Sequence, residues 1–266
     1  MGRLYLVPYI MNHKEQGQGL PLLLIHGFPH DNTLWEPQLN GLGDIARVIA
    51  PNLRGFGNAG TVPETMTMDD CAADIKALLD DLGIEQAVIC GLSMGGYVAL
   101  AFLARYPEAT QGLILCNTRS GADDEKARNG RAATAQKALD EGMAGIAEDM
   151  LPKMISEHSA SVYPELSKFV GDMMARQSPE AVAAAARGLA IRPDRTPMLP
   201  SITVPVLIIT GSADTLISPS ESEAMAAKIP ESELVVIPNV AHLSNLEDPA
   251  AFNGAVSKFL GSMVAA

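Results

Sequence analysis

An α/β fold, a mainly parallel sheet covered on both faces by helices, is the fold class that this sequence predicts. Three observations carry it. Short runs of residues are apolar on both faces, helical patterns alternate with those runs, and 266 residues with 47% hydrophobic content suffice for one large core. Charged residues make up 19%, which fits an ordinary globular chain and excludes disordered and collagen-like classes.

Taken in chain order, Leu22-Leu23-Leu24-Ile25 reads as a buried strand, and Arg47-Val48-Ile49-Ala50 as a weaker one closed by Pro51. Asp69 to Leu82 has helical periodicity, with Ile75, Leu78, Leu79 and Leu82 on one face, and Thr67 with Asp70 forms a capping pair at its start. Ala87-Val88-Ile89-Cys90 and Leu113-Ile114-Leu115-Cys116 are further strands, with a helix over Ser93 to Tyr106 between them, stopped by Pro107. Val206-Leu207-Ile208-Ile209 and Leu234-Val235-Val236-Ile237 follow. Between these two, Ser218-Pro219-Ser220-Glu221 supplies an N-cap, a proline at the first helical position and a capping glutamate. Asp248-Pro249 opens a last helix bearing Phe252, Val256, Phe259 and Leu260.

The stretch from about 120 to 200 breaks this rhythm. It has no convincing strand, is rich in Ala, Met, Glu and Lys, and holds six of the thirteen methionines: Met143, Met150, Met154, Met173, Met174 and Met198. It reads as a helical cap inserted between two parts of one core, 1–119 and 201–266. Methionines at helical spacing usually fill cores; the sharper reading is an adaptable wall for a ligand pocket. Trp35 is a further candidate pocket residue.

Lys plus Arg number 19 and Asp plus Glu 31, a net charge of −12 that disfavours nucleic acid and anionic membranes as partners. Gln86 to Ala104 is uncharged and long enough to tempt a membrane assignment, but Gly91, Ser93, Gly95 and Gly96 at its centre fit a strand, a tight turn and a helix better. The start, Met1-Gly2-Arg3-Leu4-Tyr5, lacks a signal-peptide pattern. Cys71, Cys90 and Cys116 are too few and too odd in number for a disulfide framework, and no Cys/His cluster suggests a metal. The expected setting is reducing and cytoplasmic. No nucleotide-binding glycine loop is present either, so no cofactor is implied.

Gly91-Leu92-Ser93-Met94-Gly95 fits G-x-S-x-G and lies between a buried strand and a helix, the context in which a serine hydroxyl is held out on a sharp turn. Such a serine needs a base. His13, His26, His30, His158 and His242 are available. His242 falls between the last apolar strand and the last helix, and Asp214 follows the Val206 strand, so both belong at the edge of the sheet where Ser93 sits. His26, in His26-Gly27-Phe28-Pro29, competes as a base. Its setting after a strand instead suggests a residue that fixes a loop, whose Phe28 N–H would join that of Met94 in holding an oxyanion. His158 reads as surface or pocket lining. Asp124 is a rival acid, though Asp123-Asp124-Glu125 looks like a solvated helix start.

The order Ser93, Asp214, His242 is that of α/β-hydrolases, and the chain resembles this superfamily over nearly its full length. The resemblance lies in His26-Gly27-Phe28-Pro29, Asn52-Leu53-Arg54-Gly55-Phe56-Gly57, Gly91-Leu92-Ser93-Met94-Gly95-Gly96, Gly211-Ser212-Ala213-Asp214 and Ala241-His242-Leu243-Ser244-Asn245. Within the superfamily, Leu115-Cys116-Asn117-Thr118 and Ala241 to Glu247 look like the 3-oxoadipate enol-lactonase group, whereas the His26–Pro29 loop is more typical of esterases and perhydrolase-like members. A serine at 93 argues against dehalogenases and epoxide hydrolases, which need a carboxylate there. The resemblance implies a serine hydrolase that cleaves small carboxylic esters through an acyl-enzyme, without a cofactor. The alternatives are an enol-lactonase-like lactone hydrolase and a ligand receptor built on the same scaffold. For a dianionic lactone, Arg119, Arg128, Arg187 and Arg192 are the candidate compensating charges.

Overall fold

The apolar runs become the middle of a seven-stranded sheet. In the computed structural model, which describes residues 11–58, 60 and 62–264, the strands are β1 (His13–Gln16), β2 (Pro21–Ile25), β3 (Arg47–Pro51), β4 (Ala87–Leu92), β5 (Thr110–Cys116), β6 (Val206–Gly211) and β7 (Ser232–Ile237). The start of the chain, read above for a signal peptide, lies outside the described residues. Spatial order is β1-β3-β2-β4-β5-β6-β7, and every neighbouring pair is parallel except β1 with β3. Register places Leu23 beside Ile89, Ile89 beside Leu113, and Leu113 beside Val206, a row of apolar side chains crossing four strands on one face. The opposite face carries Leu22, Leu24, Val88, Cys90, Ile114 and Cys116, also fully buried. Each such aliphatic side chain contributes about 1.5–3 kcal/mol on burial, so the central strands anchor everything attached to their ends.

The helices of the two covering layers are α1 (Glu36–Leu42), α2 (Met68–Asp81) and α3 (Met94–Arg105), followed after the insertion by α9 (Pro219–Ala226), α10 (Ser244–Glu247) and α11 (Pro249–Val264). Residues of α2, α3 and α9 pack on the Ile89 face, and those of α1 and α11 on the Val88 face. The start of α2 is capped as its sequence predicts: Thr67 Oγ1 accepts from the Asp70 N–H at 3.1 Å and donates to the Asp70 carboxylate at 2.6 Å. At α9 the cap is Ser218, as expected, but its hydroxyl receives the Ser220 N–H, with no reciprocal bond from the Glu221 side chain. The segment tempting as a membrane span is β4 followed by α3, and no described helix is long and apolar enough to cross a membrane. The three cysteines are free and buried.

Between β5 and β6 the chain is helical: α4 (Glu125–Glu141), α5 (Ala144–Met154), α6 (Glu157–Val162), α7 (Pro164–Ala175) and α8 (Pro179–Ala190). These helices attach to loops that leave the carboxyl ends of the strands. Arg176, just past α7, forms a two-pronged pair with Asp31 after β2 at 2.9 Å, and Gln177 adds a bond to the same carboxylate at 2.8 Å. The Met66 N–H donates to Ala184 O after β3, and the Leu243 N–H donates to Met154 O after β7. Met143, Met154, Met173 and Met174 are buried in the two hydrophobic clusters. Trp35, the candidate pocket residue, is fully buried just ahead of α1 in the apolar cluster of that face, its ring tilted on Phe252 of α11 at 6.0 Å between centroids. An aromatic ring just ahead of a short helix finds its apolar partner in the last helix, a contact made across more than two hundred residues of chain.

Candidate active site

Ser93 occupies the turn between β4 and α3 with φ 55° and ψ −113°, a backbone conformation that an L-residue adopts only when its surroundings enforce it. Two close approaches enforce it. A Cβ at Gly91 would collide with the Gly95 carbonyl, and one at Gly95 with the Ile25 carbonyl at the end of β2. The Ser93 N–H is fixed to Cys116 O at 2.9 Å, and its carbonyl accepts the Thr118 hydroxyl at 2.8 Å. Although Ser93 stands in the N-cap position of α3, its side chain makes no cap bond. The hydroxyl is left free by its helix.

Asp214 follows β6 and is buried with every carboxylate lone-pair direction in use. Oδ1 accepts from the Leu216 and Ile217 N–H groups, both at 2.9 Å, and Oδ2 accepts from Asn117 Nδ2 at 2.9 Å and from His242 Nδ1 at 2.8 Å. Burial pushes this carboxyl up in pKa, but the His242 ring and those hydrogen bonds outweigh it and hold the carboxyl below the usual Asp range. An ionised acceptor places the ring proton on Nδ1, so the His242 Nε2 lone pair is available. That Nε2 is buried without a partner, and it makes no hydrogen bond with Ser93. Such contacts commonly tighten only when substrate is bound.

Asn117, at φ 45° after β5, joins the two halves. Besides Asp214 it donates to Ala241 O at 3.1 Å and accepts from the Ser244 hydroxyl at 2.6 Å, while the adjacent Thr118 holds Ser93. Sequence reasoning assigned Asn117 no role. Its signal was position, directly after a buried strand that neighbours both the serine strand and the aspartate strand.

The loop after β2 carries His26, Gly27 and Phe28. His26 is neutral and doubly bonded, its Nδ1 on Gly27 O at 2.9 Å and its Nε2 accepting the Leu53 N–H at 3.0 Å, so it has no free nitrogen to act as a base. Among the described residues, the N–H groups of Phe28 and Met94 donate to no protein acceptor. Asp124 caps α4, accepting the Ala127 N–H at 2.7 Å in solvent. His158 is exposed on α6, in a surface cleft with Tyr163, Phe169 and Leu246. Of the four arginines, Arg119 and Arg192 are each paired at 2.7 Å with the buried Asp123, Arg187 donates to Glu64 O, and Arg128 is exposed. Among the described residues no group of His, Cys, Asp or Glu could hold a metal ion.

His30 is fully buried. Burial above all, aided by the nearby His26 and His242 rings, pulls its pKa from 6.5 down to about 3, against the opposing pull of Asp31. The unfolded chain therefore takes a proton at this histidine below about pH 6.5 that the native protein refuses until about pH 3. Stability falls as pH falls through that window, by up to about 1.4 kcal/mol per unit, with His26 adding in the same sense. His30→Leu should flatten the decline between pH 6 and pH 4 in urea midpoints. An unchanged pH slope would contradict the assignment.

With Ser93 on a sharp turn after β4 and the hydrogen-bonded Asp214–His242 pair on the loops after β6 and β7, the chain belongs to the alpha/beta hydrolase fold family, whose model matches residues 21–249. The protein is a hydrolase. Among its relatives, it is 31% identical to 3-oxoadipate enol-lactonase 2 of Acinetobacter baylyi over 224 residues, 84% of this chain and 82% of that one. In structure it is similar to a thermophilic esterase from Thermogutta terrifontis, solved with malate bound, at TM-score 0.94 and 42% identity, covering 95% of this chain and 93% of the other. The enol-lactonase of Burkholderia xenovorans gives TM-score 0.88 at 27% identity, covering 94% and 96%.

Proposed function

We propose that the protein is a serine hydrolase of small, uncharged carboxylic esters that works through an acyl-enzyme. The observation that carries this reading is the Asp214–His242 pair, with Nε2 left free, tied through Asn117 and Thr118 to a serine whose hydroxyl is unused. Ser93 Oγ attacks the ester carbonyl as His242 Nε2 takes its proton, and Asp214 stabilises the imidazolium. The N–H groups of Phe28 and Met94 receive the oxyanion. The tetrahedral species collapses, the alkoxide leaves with the proton from His242, and a water activated by the same nitrogen releases the acid. The helices from 120 to 200 act as the cap that keeps bulk water out.

Charge decides between ester and lactone. The chain carries −12 overall; Arg119, Arg131 and Arg192 share the single carboxylate of Asp123, so that cluster keeps a net positive charge, but its hydrogen bonds are directed at Asp123 and, from Arg192, at the Gly121 and Leu189 carbonyls. A short p-nitrophenyl ester is therefore expected to exceed 3-oxoadipate enol-lactone at least about tenfold in kcat/KM, about 1.4 kcal/mol of transition-state binding. The enol-lactonase relatives support the competing lactone reading, and a clear preference for the lactone in this comparison would establish it over ours.

A further inference from the structure

His30 lies in the anion-holding loop but takes no part in any bond that its side chain could make. Its N–H donates to Gly27 O at 3.1 Å, closing a turn that folds residue 30 back toward Gly27. Gly27 itself lies against the nucleophile: a Cβ there would stand 3.3 Å from Ser93 Cβ. The nearby His26 and His242 rings both oppose protonation of His30. Yet Nδ1 and Nε2 are both buried and both unpartnered. Its neighbours are not so placed. His26 is bonded at both nitrogens, Asn32 Nδ2 donates to Ala50 O, and Asp31 is held by Thr33, Arg176 and Gln177.

A buried polar ring with neither nitrogen satisfied destabilises the fold, and a leucine of similar volume would fill the space without that cost. A residue that opposes stability beside reacting groups is the signature of a contact completed by the ligand. Other buried nitrogens also lack a partner, Trp35 Nε1 among them; of these, His242 Nε2 belongs to a ring that acts electrostatically on His30, and in the proposed reaction it receives the serine proton.

We propose that His30 is a substrate-positioning residue: its neutral imidazole donates a hydrogen bond to an ether, hydroxyl or keto oxygen of the bound ester, outside the reacting carboxyl. The protein then favours oxygen-bearing esters over their hydrocarbon isosteres. This rests on the ester-hydrolase reading above. A pocket built to bond an oxygen discriminates against the analogue that lacks it, because the buried N–H is then left unpaired.

The test uses two isosteric pairs, p-nitrophenyl methoxyacetate with p-nitrophenyl butyrate, and 2-methoxyethyl acetate with butyl acetate. Intrinsic reactivity cancels when the kcat/KM ratio within each pair is compared between the wild type and His30→Leu. The expected result is a fall of at least fivefold in the ratio for one pair or both, with an unchanged or higher Tm and with His30→Gln retaining more of the preference. A smaller change in both pairs, or a loss of folding in His30→Leu, overturns the role. Independently, the ring ¹⁵N shifts of His30 in Ser93→Ala should move when an ether ester that shows the preference is added and stay still with its hydrocarbon isostere; equal responses overturn it. Wild-type protein that hydrolyses none of the four esters overturns the ester-hydrolase reading itself, whereas turnover with unchanged ratios overturns His30 alone.

Discussion

Ser93→Ala is expected to lower ester turnover about 10⁴- to 10⁶-fold while the protein stays folded. The residue is one methylene and a hydroxyl on a turn whose geometry is set by Gly91, Gly95 and two backbone bonds, none of which involves the side chain. Alanine keeps that turn, with the backbone N–H of position 93 still on Cys116 O and the carbonyl still on Thr118. Stability should therefore change little, and the whole effect should fall on kcat. Measurement of p-nitrophenyl ester hydrolysis with a parallel thermal melt settles it. Turnover within tenfold of wild type at unchanged Tm would show that another group attacks the carbonyl.

The second large effect separates the candidate acids and bases. His242→Ala should cost about 10⁴- to 10⁶-fold, because the same nitrogen serves both halves of the reaction. Asp214→Asn should cost about 10³- to 10⁴-fold, since an amide NH₂ facing Nδ1 favours the tautomer whose proton sits on Nε2. The amide introduced there would also face the side-chain amide of Asn117, so part of the loss should appear as lowered stability. By contrast, Asp124→Asn and His158→Ala should stay within about threefold of wild type. Asparagine is as good an N-cap as aspartate, and both side chains lie in solvent. If Asp124→Asn abolished activity and Asp214→Asn did not, the acid would follow β5 rather than β6.

The sheet was legible because burial on both faces makes the middle of each central strand apolar. Leu22–Ile25, Ala87–Cys90, Leu113–Cys116 and Val206–Ile209 are uninterrupted apolar runs, with polar residues such as Thr110, Gln111 and Thr210 only toward the strand ends. β1 was not legible. His13-Lys14-Glu15-Gln16 has no apolar face, and it becomes a strand only because β3 offers an open edge, to which Glu15 adds an ion pair with Arg47 at 2.8 Å. The helices of the insertion were expected as a group but could not be separated, because their boundaries depend on packing against one another and on tethers such as Asp31–Arg176.

For the site, sequence alone determined which residues stand at strand ends, and in a parallel sheet that suffices to place Ser93, Asp214 and His242 on one edge. It determined the sharp turn at Ser93, since only glycine fits on either side. It did not determine which side chains meet. Asn117 is an ordinary residue in the chain, and it becomes the link among three loops only once β5 lies between β4 and β6. Trp35, an attractive pocket residue on paper, goes into the core because Phe252 comes to lie beside it. His30 differs from His26 by four positions in sequence, yet one is bonded at both nitrogens and the other at neither. The physical reason is the same in each case. Strand position follows from local hydrophobicity, which every residue carries with it, whereas a hydrogen bond needs a second group, and only the folded chain decides which group arrives.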